Sequence, residues 1–163
     1  MNICLRESNS NDFLFLNKML YEAVFWRESN SKPLFEEGIL LKGVKEALID
    51  FKKREGDIAV VALNDSVQIG AAWFRYYNEK NQIRGYIDNE TPVLVIAVHQ
   101  DYRHKKIGGK MIKWLIEYAS KQNIERISLC VSKDNYAFNL YKQQGFKEYK
   151  DIGDSLLMIY DFN

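Results

Sequence analysis

A chain of 163 residues with 23 Lys and Arg against 22 Asp and Glu carries a net charge of only +1. That balance gives no electrostatic reason to bind nucleic acid or an anionic membrane, and no apolar run approaches the ~18 residues of a membrane span. The length suits one domain over residues 1–163, which would bury roughly two-thirds of its unfolded surface. The N-terminus lacks the basic-then-apolar layout of a secretory signal, so the expected location is cytoplasmic. Cys4 and Cys130 read as two reduced thiols, and no metal site is expected.

In chain order, Ile3 to Arg6 is a short strand, and Phe13, Leu16, Leu20, Ala23 and Val24 mark an amphipathic helix. Lys32-Pro33 separates it from a second predicted helix whose face carries Leu41, Val44, Ala47, Leu48 and Phe51. Strands Ile58–Leu63 and Gln68–Tyr76 form a hairpin around Asn64-Asp65-Ser66. The apolar run Val93 to Val98 is a buried central strand. A helix to about Asn123 follows, with Ile107, Met111, Trp114, Leu115 and Tyr118 at helical spacing. A strand over Ile127–Val131, a helix from Asn135, and strands Phe146–Lys150 and Ser155–Tyr160 complete the chain. The order β-α-α-β-β-β-α-β-α-β-β predicts an α/β fold with a mixed central sheet flanked by helices, because hairpins are antiparallel and strand–helix–strand units parallel.

The segment between the central strand and its helix is the most informative. It delivers Arg103-His104-Lys105-Lys106, Ile107 and the pair Gly108-Gly109 into a helical first turn. Free N–H groups, the helix dipole and close access over glycine suit such a turn to a phosphate. It is not a Walker loop, since His104 stands where glycine is required and Met111 where Ser or Thr is required. The dinucleotide fingerprint G-x-G-x-x-G is absent.

Arg103-x-x-Lys106-x-Gly108 resembles the acetyl-CoA pyrophosphate loop of the GCN5-related N-acetyltransferase (GNAT) superfamily, written Q/R-x-x-G-x-G/A. Asn135-x-Ala137-x-x-Leu140-Tyr141-x-x-x-Gly145-Phe146 resembles the motif that follows it in that family, in the same order and separation. Ile69 to Arg75 and Glu90-Thr91-Pro92 are also similar, and the likeness is strongest from residue 57 to 147. Lys106 departs from the pattern by replacing its first glycine. Were φ positive there, it would cost roughly 1–2 kcal/mol, while its ammonium offers a phosphate partner.

The resemblance implies a single-domain GNAT-like fold that moves an acetyl group from acetyl-CoA to an amine. It implies strands splayed on either side of the cradle helix, with Ile96, Ala97 and Val98 meeting the pantetheine arm through the main chain. Arg103 through Gly109 would take the pyrophosphate. Asn135 either touches the cofactor or caps its helix, and Tyr141 matches the family's general acid, which protonates the departing thiolate. The position of the family's usual base is Val93, leaving Glu90, Asp88 and His99 as candidates, Glu90 first. Acceptor choice would fall to Tyr21, Trp26, Trp73, Arg75, Tyr76 and Tyr86, with Arg75 able to pair with a carboxylate. The acceptor amine stays open, as does a homodimer. A catalytically silent acyl-CoA sensor is the second reading; a nucleic-acid module built on Arg103 to Lys106 is the third, disfavoured by the near-zero net charge.

Overall fold

The computed structural model describes residues 1–163. The strands are β1 (Ile3–Glu7), β2 (Ile58–Asn64), β3 (Val67–Arg75), β4 (Val93–Val98), β5 (Arg126–Ser132), β6 (Lys147–Asp151) and β7 (Ser155–Asp161). The helices are α1 (Phe13–Val24), α2 (Phe35–Gly38), α3 (Ile107–Lys121) and α4 (Ala137–Gln143). All seven strands join one mixed sheet in the order β1-β2-β3-β4-β5-β7-β6. The predicted α/β fold with a mixed sheet is therefore observed, with β7 inserted beside β5. No helix is long and apolar enough to cross a membrane.

Strands β2 and β3 are apolar through their middles, residues 58–63 and 69–74, because helices cover both sheet faces. Alternate side chains separate into two cores. Ile58, Val60, Ala72, Phe74 and Leu94 pack with Met111, Ile112 and Leu115 of α3. Ala59, Val61, Trp73 and Val93 pack with Leu16, Met19 and Leu20 of α1. A polar clamp orients α1: Arg6 of β1 grips Asp12 at 2.7 and 2.9 Å, and Asp12 also accepts Gln68 of β3 at 2.7 Å.

Strand β4 pairs with β3 along its whole length, but its parallel pairing with β5 is confined to one register pair, Val93 opposite Ser128. There the Ser128 N–H donates to the Pro92 carbonyl at 3.0 Å. Beyond that point the two strands part.

The second predicted helix is not a helix. Apart from the single turn of α2, residues 39–56 form turns and a short 3-10 segment, Lys45–Ala47. Gly43, Asp50 and Lys52 take positive φ values of 84°, 53° and 71°, which no α-helix accommodates. Of the expected apolar face, Ala47 and Leu48 are fully buried and Val44 and Phe51 half-buried, whereas Leu41 is exposed.

What pins this irregular segment is Arg75, expected at the acceptor site and found instead in the core. Its Nε and Nη2 meet the Asp57 carboxylate at 3.0 and 2.7 Å, and its Nη1 donates to the Ile49 carbonyl at 2.7 Å. Asp57 in turn accepts the Lys52 N–H at 2.9 Å. With the two side chains 0% and 1% exposed, the ion pair is closed to water. Asp57→Ala would strand a buried guanidinium, so unfolding in urea is expected to lose about 3–5 kcal/mol. A loss near zero would mean that the segment is held by its apolar contacts alone.

Candidate active site

Where β4 and β5 part, a cavity of about 510 Å³ opens. Its walls come from both sheet faces. Leu20, Ala23 and Val24 of α1 with Val44 and Ala47 close one side; Gly108 of α3 with Leu140 and Tyr141 of α4 close the other. The His99 N–H donates to the Ile69 carbonyl at 2.8 Å. By alternation, the peptide groups of Ala97 and Val95 are then spent on β3, while those of Ile96 and Val98 face the gap. So Ile96 and Val98 offer main-chain partners to an extended chain, and Ala97 contributes only its side chain.

The cradle is built from strained backbone. His104 and Lys106 lie in the left-handed region, with φ of 60° and 63°. Lys106 is the N-cap of α3, so the chain turns sharply into the helix and leaves the N–H groups of its first turn free. The departure from glycine at 106 thus falls where glycine would be preferred. Gly108 and Gly109, in contrast, are ordinary helical residues, and what they supply is room. A Cβ on Gly108 would sit 3.1 Å from Leu140 and 3.7 Å from Ile96, and one on Gly109 3.2 Å from Gln144.

The basic side chains divide. Arg103 turns inward: its Nε donates to the Val98 carbonyl and its Nη2 to Glu22 of α1, both at 3.1 Å. Lys105 donates to the Asp101 carbonyl at 2.8 Å over the Tyr102 ring. His104 is exposed, its ring 5.0 Å from that of Tyr136. Lys106, also exposed, makes no hydrogen bond or ion pair and is the cation left for an anion at this helix start. Free N–H groups, glycine space and an uncommitted ammonium fit a pyrophosphate.

Tyr141 is 7% exposed and lines the cavity, its hydroxyl without a partner in the protein. Burial raises its phenol above the ordinary pKa of 10. Asn135 also lines the cavity, but its Oδ1 accepts the Ala137 N–H at 2.9 Å in the turn that leads into α4, so that oxygen is already engaged. Of the base candidates none lines the cavity: Glu90 is exposed in the turn before β4, Asp88 pairs with Arg126 at 2.7 Å, and His99 is exposed beside Asp101.

The acceptor candidates fare unevenly. Trp26 lines the cavity. Trp73 and Arg75 are fully buried, Tyr21 donates to the Pro33 carbonyl at 2.6 Å, Tyr86 donates to Asn89 at 2.7 Å, and Tyr76 packs over Gly56. The sequence reading missed Glu22, Lys42, Arg84, Cys130 and Ser155, all on the wall. Glu22 had a signal, being a lone acid beside the apolar face of α1. Lys42 and Arg84 sit in irregular segments where no periodicity points.

The fold recurs widely among solved structures. PaiA N-acetyltransferase from Thermoplasma acidophilum, in complex with coenzyme A, matches with a TM-score of 0.69 at 19% identity over 99% of this chain and 100% of its own. The ribosomal-protein-alanine N-acetyltransferase of Brucella melitensis matches with 0.70 at 19% identity, over 98% and 99%. YncA of Salmonella typhimurium, a putative acetyltransferase with its cofactor acetyl-CoA, gives 0.71 at 16% identity, over 100% and 95%. Among curated proteins none matches the sequence. The profile of the Acetyltransferase (GNAT) family matches residues 21–146, through both motifs and the cavity between them, and the chain therefore belongs to the GNAT family of acetyl-CoA-dependent N-acetyltransferases.

Proposed function

We propose that this protein transfers the acetyl group directly to a primary amine inside the gap between β4 and β5, with Tyr141 as proton donor to the departing sulfur. The observation that carries the reading is the cavity itself, lined from both faces of the sheet where the strands part. Donor and acceptor can meet there from opposite sides without a covalent relay on the protein. Acetyl-CoA supplies the activated thioester. The free N–H groups of Ile107, Gly108 and Gly109 would hold its pyrophosphate, aided by Lys106, and Ile96 and Val98 its amide-bearing arm. The Val98 carbonyl is occupied by Arg103, which leaves the Val98 N–H to polarise the thioester oxygen.

Tyr141 suits the acid role because burial keeps its proton in place. Burial pushes its pKa well above the ordinary 10, so the phenol keeps its proton as the pH rises towards the range in which an amine loses its own. Glu90 does not line the cavity, and no side-chain base is assigned. The only carboxylate on the wall is that of Glu22, already bonded to Arg103.

These roles separate experimentally. A thiol-release assay with acetyl-CoA and a panel of amines tests transfer; binding without turnover of any amine would return the protein to the sensor reading. Gly108→Val should leave the fold intact, since Gly108 is helical and its nearest neighbour is a flexible Leu140 methyl. Excess acetyl-CoA should raise the melting temperature of the parent protein and leave the variant unmoved; equal shifts would sink the cradle.

Lys106→Gly relieves a left-handed lysine, so thermal stability should rise by about 1 kcal/mol, while acetyl-CoA affinity falls by up to about 1 kcal/mol through the lost exposed charge. Tighter binding in the variant would show that strain, not charge, governs this position.

Tyr141→Phe keeps the ring, so acetyl-CoA affinity should hold while kcat falls by up to roughly 10²–10⁴-fold. In the parent, kcat should climb as the amine deprotonates and show no descending limb up to about pH 10. An unchanged kcat in the variant would make Tyr141 a packing residue.

A further inference from the structure

The acceptor side of the cavity has a chemical bias of its own. Four cations stand on the wall, Arg27, Lys42, Arg84 and Arg103, against the single acid Glu22. Arg103 uses Glu22 up at 3.1 Å, and Arg27 and Arg84 pair with Asp134 and Asp154 at 2.6 and 2.8 Å. Lys42 enters no ion pair, so it is the uncommitted charge on this side. Nothing on the wall is left to receive a second ammonium.

Opposite α1, the same region ends on hydroxyl and thiol groups. Ser132 and Ser155 are register partners and therefore project to the same face, as does Cys130 two residues along β5. Ser155 is 1% exposed, lines the cavity, and its Oγ has no hydrogen-bond partner. The hydroxyl makes no ideal hydrogen bond, but it sits beside Cys130 and the Asp154 carboxylate and, after Arg84, helps to hold the Asp154 pKa down. A buried hydroxyl left unsatisfied is costly unless something else completes it. Much of the remaining wall is apolar, with Leu20, Val24, Trp26, Val44 and Val95.

We propose that the acceptor is a small amine that also carries a carboxylate, with an apolar body: an amino acid rather than a polyamine or an aminoglycoside. The proposal rests on the reading of this gap as the transfer site. Lys42 holds the carboxylate, Ser155 donates its hydroxyl proton to a carboxylate oxygen, the apolar wall takes the side chain, and the amine points to the gap beside Tyr141. The reaction balances without a further reactant: the nitrogen–acetyl bond forms, the sulfur–acetyl bond breaks, and the amine proton lost equals the proton gained by the thiolate.

The test is kcat/KM for thiol release with L-leucine and L-phenylalanine, their carboxamides, 2-aminoethyl phosphate, spermidine and kanamycin, each at saturating acetyl-CoA. The free amino acids should exceed their amides and both polycations by at least ten-fold. The amide amine is the weaker base and is more often unprotonated, so protonation alone would favour it; a preference for the acid must come from the carboxylate. Lys42→Ala should raise KM for L-phenylalanine about ten-fold, collapse the acid-over-amide ratio towards one, and leave KM for acetyl-CoA unchanged. Lys42→Arg should restore the ratio, which a merely structural lysine would not do.

Turnover of spermidine, kanamycin or the amides at or above the amino acids overturns the acceptor assignment and leaves the transfer site standing. So does a Lys42→Ala variant with the parent ratio, or preference for 2-aminoethyl phosphate, which would make the anion a phosphate. Absence of both acetyl-CoA stabilisation and thiol release with every amine would take down the transfer reading and the inference together.

Discussion

Everything at this site depends on two parallel strands that stop pairing after one register pair. Strand β4 is clamped by β3 along its length, and β5 is clamped by β7, so neither can move to close the gap. A sheet interior with unpaired peptide groups is normally a defect, because buried N–H and C=O groups without partners are costly. Here the gap is kept open from both sides, with the peptide groups of Ile96 and the N–H of Val98 facing it, while the Val98 carbonyl is taken by Arg103. The same opening removes the barrier between the two faces, so a cavity can pass through a layer that elsewhere is solid.

The two ends of that passage are made by different means. The donor end rests on a strained turn that runs straight into regular structure: left-handed His104 and Lys106, the first turn of α3, glycines that leave space, and α4 packed close by. The acceptor end rests on α1, an irregular segment and one turn of the β3–β4 loop. Regular structure holds a constant group at fixed positions, whereas turns can change residue by residue without disturbing the sheet. A common donor and a variable acceptor fit this division.

How legible the protein was in its sequence follows the same line. Strand β4 was read to the residue, and the cradle helix and the α4 motif within two, because hydrophobic period and capping chemistry are local signals. The left-handed backbone at Lys106 could be posed as a question from the motif, and only coordinates answer it. The segment 39–56 was misread because Leu41, Val44, Ala47, Leu48 and Phe51 keep a helical period while Gly43, Asp50 and Lys52 break the backbone between them. Arg75 was misplaced for a related reason: an arginine in an apolar strand looks functional until its partner is known, and Asp57 lies eighteen residues away. Lys42, Arg84 and Ser155 gave no sign, since their place around one cavity comes from the tertiary fold and not from any local run.

The buried Arg75–Asp57 pair bears on how proteins of this shape can diversify. It welds the acceptor-side segment to β3 through charges that no solvent can replace. An exchange whose boundary falls between Asp57 and Arg75 would bring one of them into a domain without the other and would leave one ion alone in the core. The segment, Asp57 and Arg75 therefore form a single heritable cassette: recombination within it is penalised, and changes of acceptor are steered towards point substitutions on the wall facing the cavity.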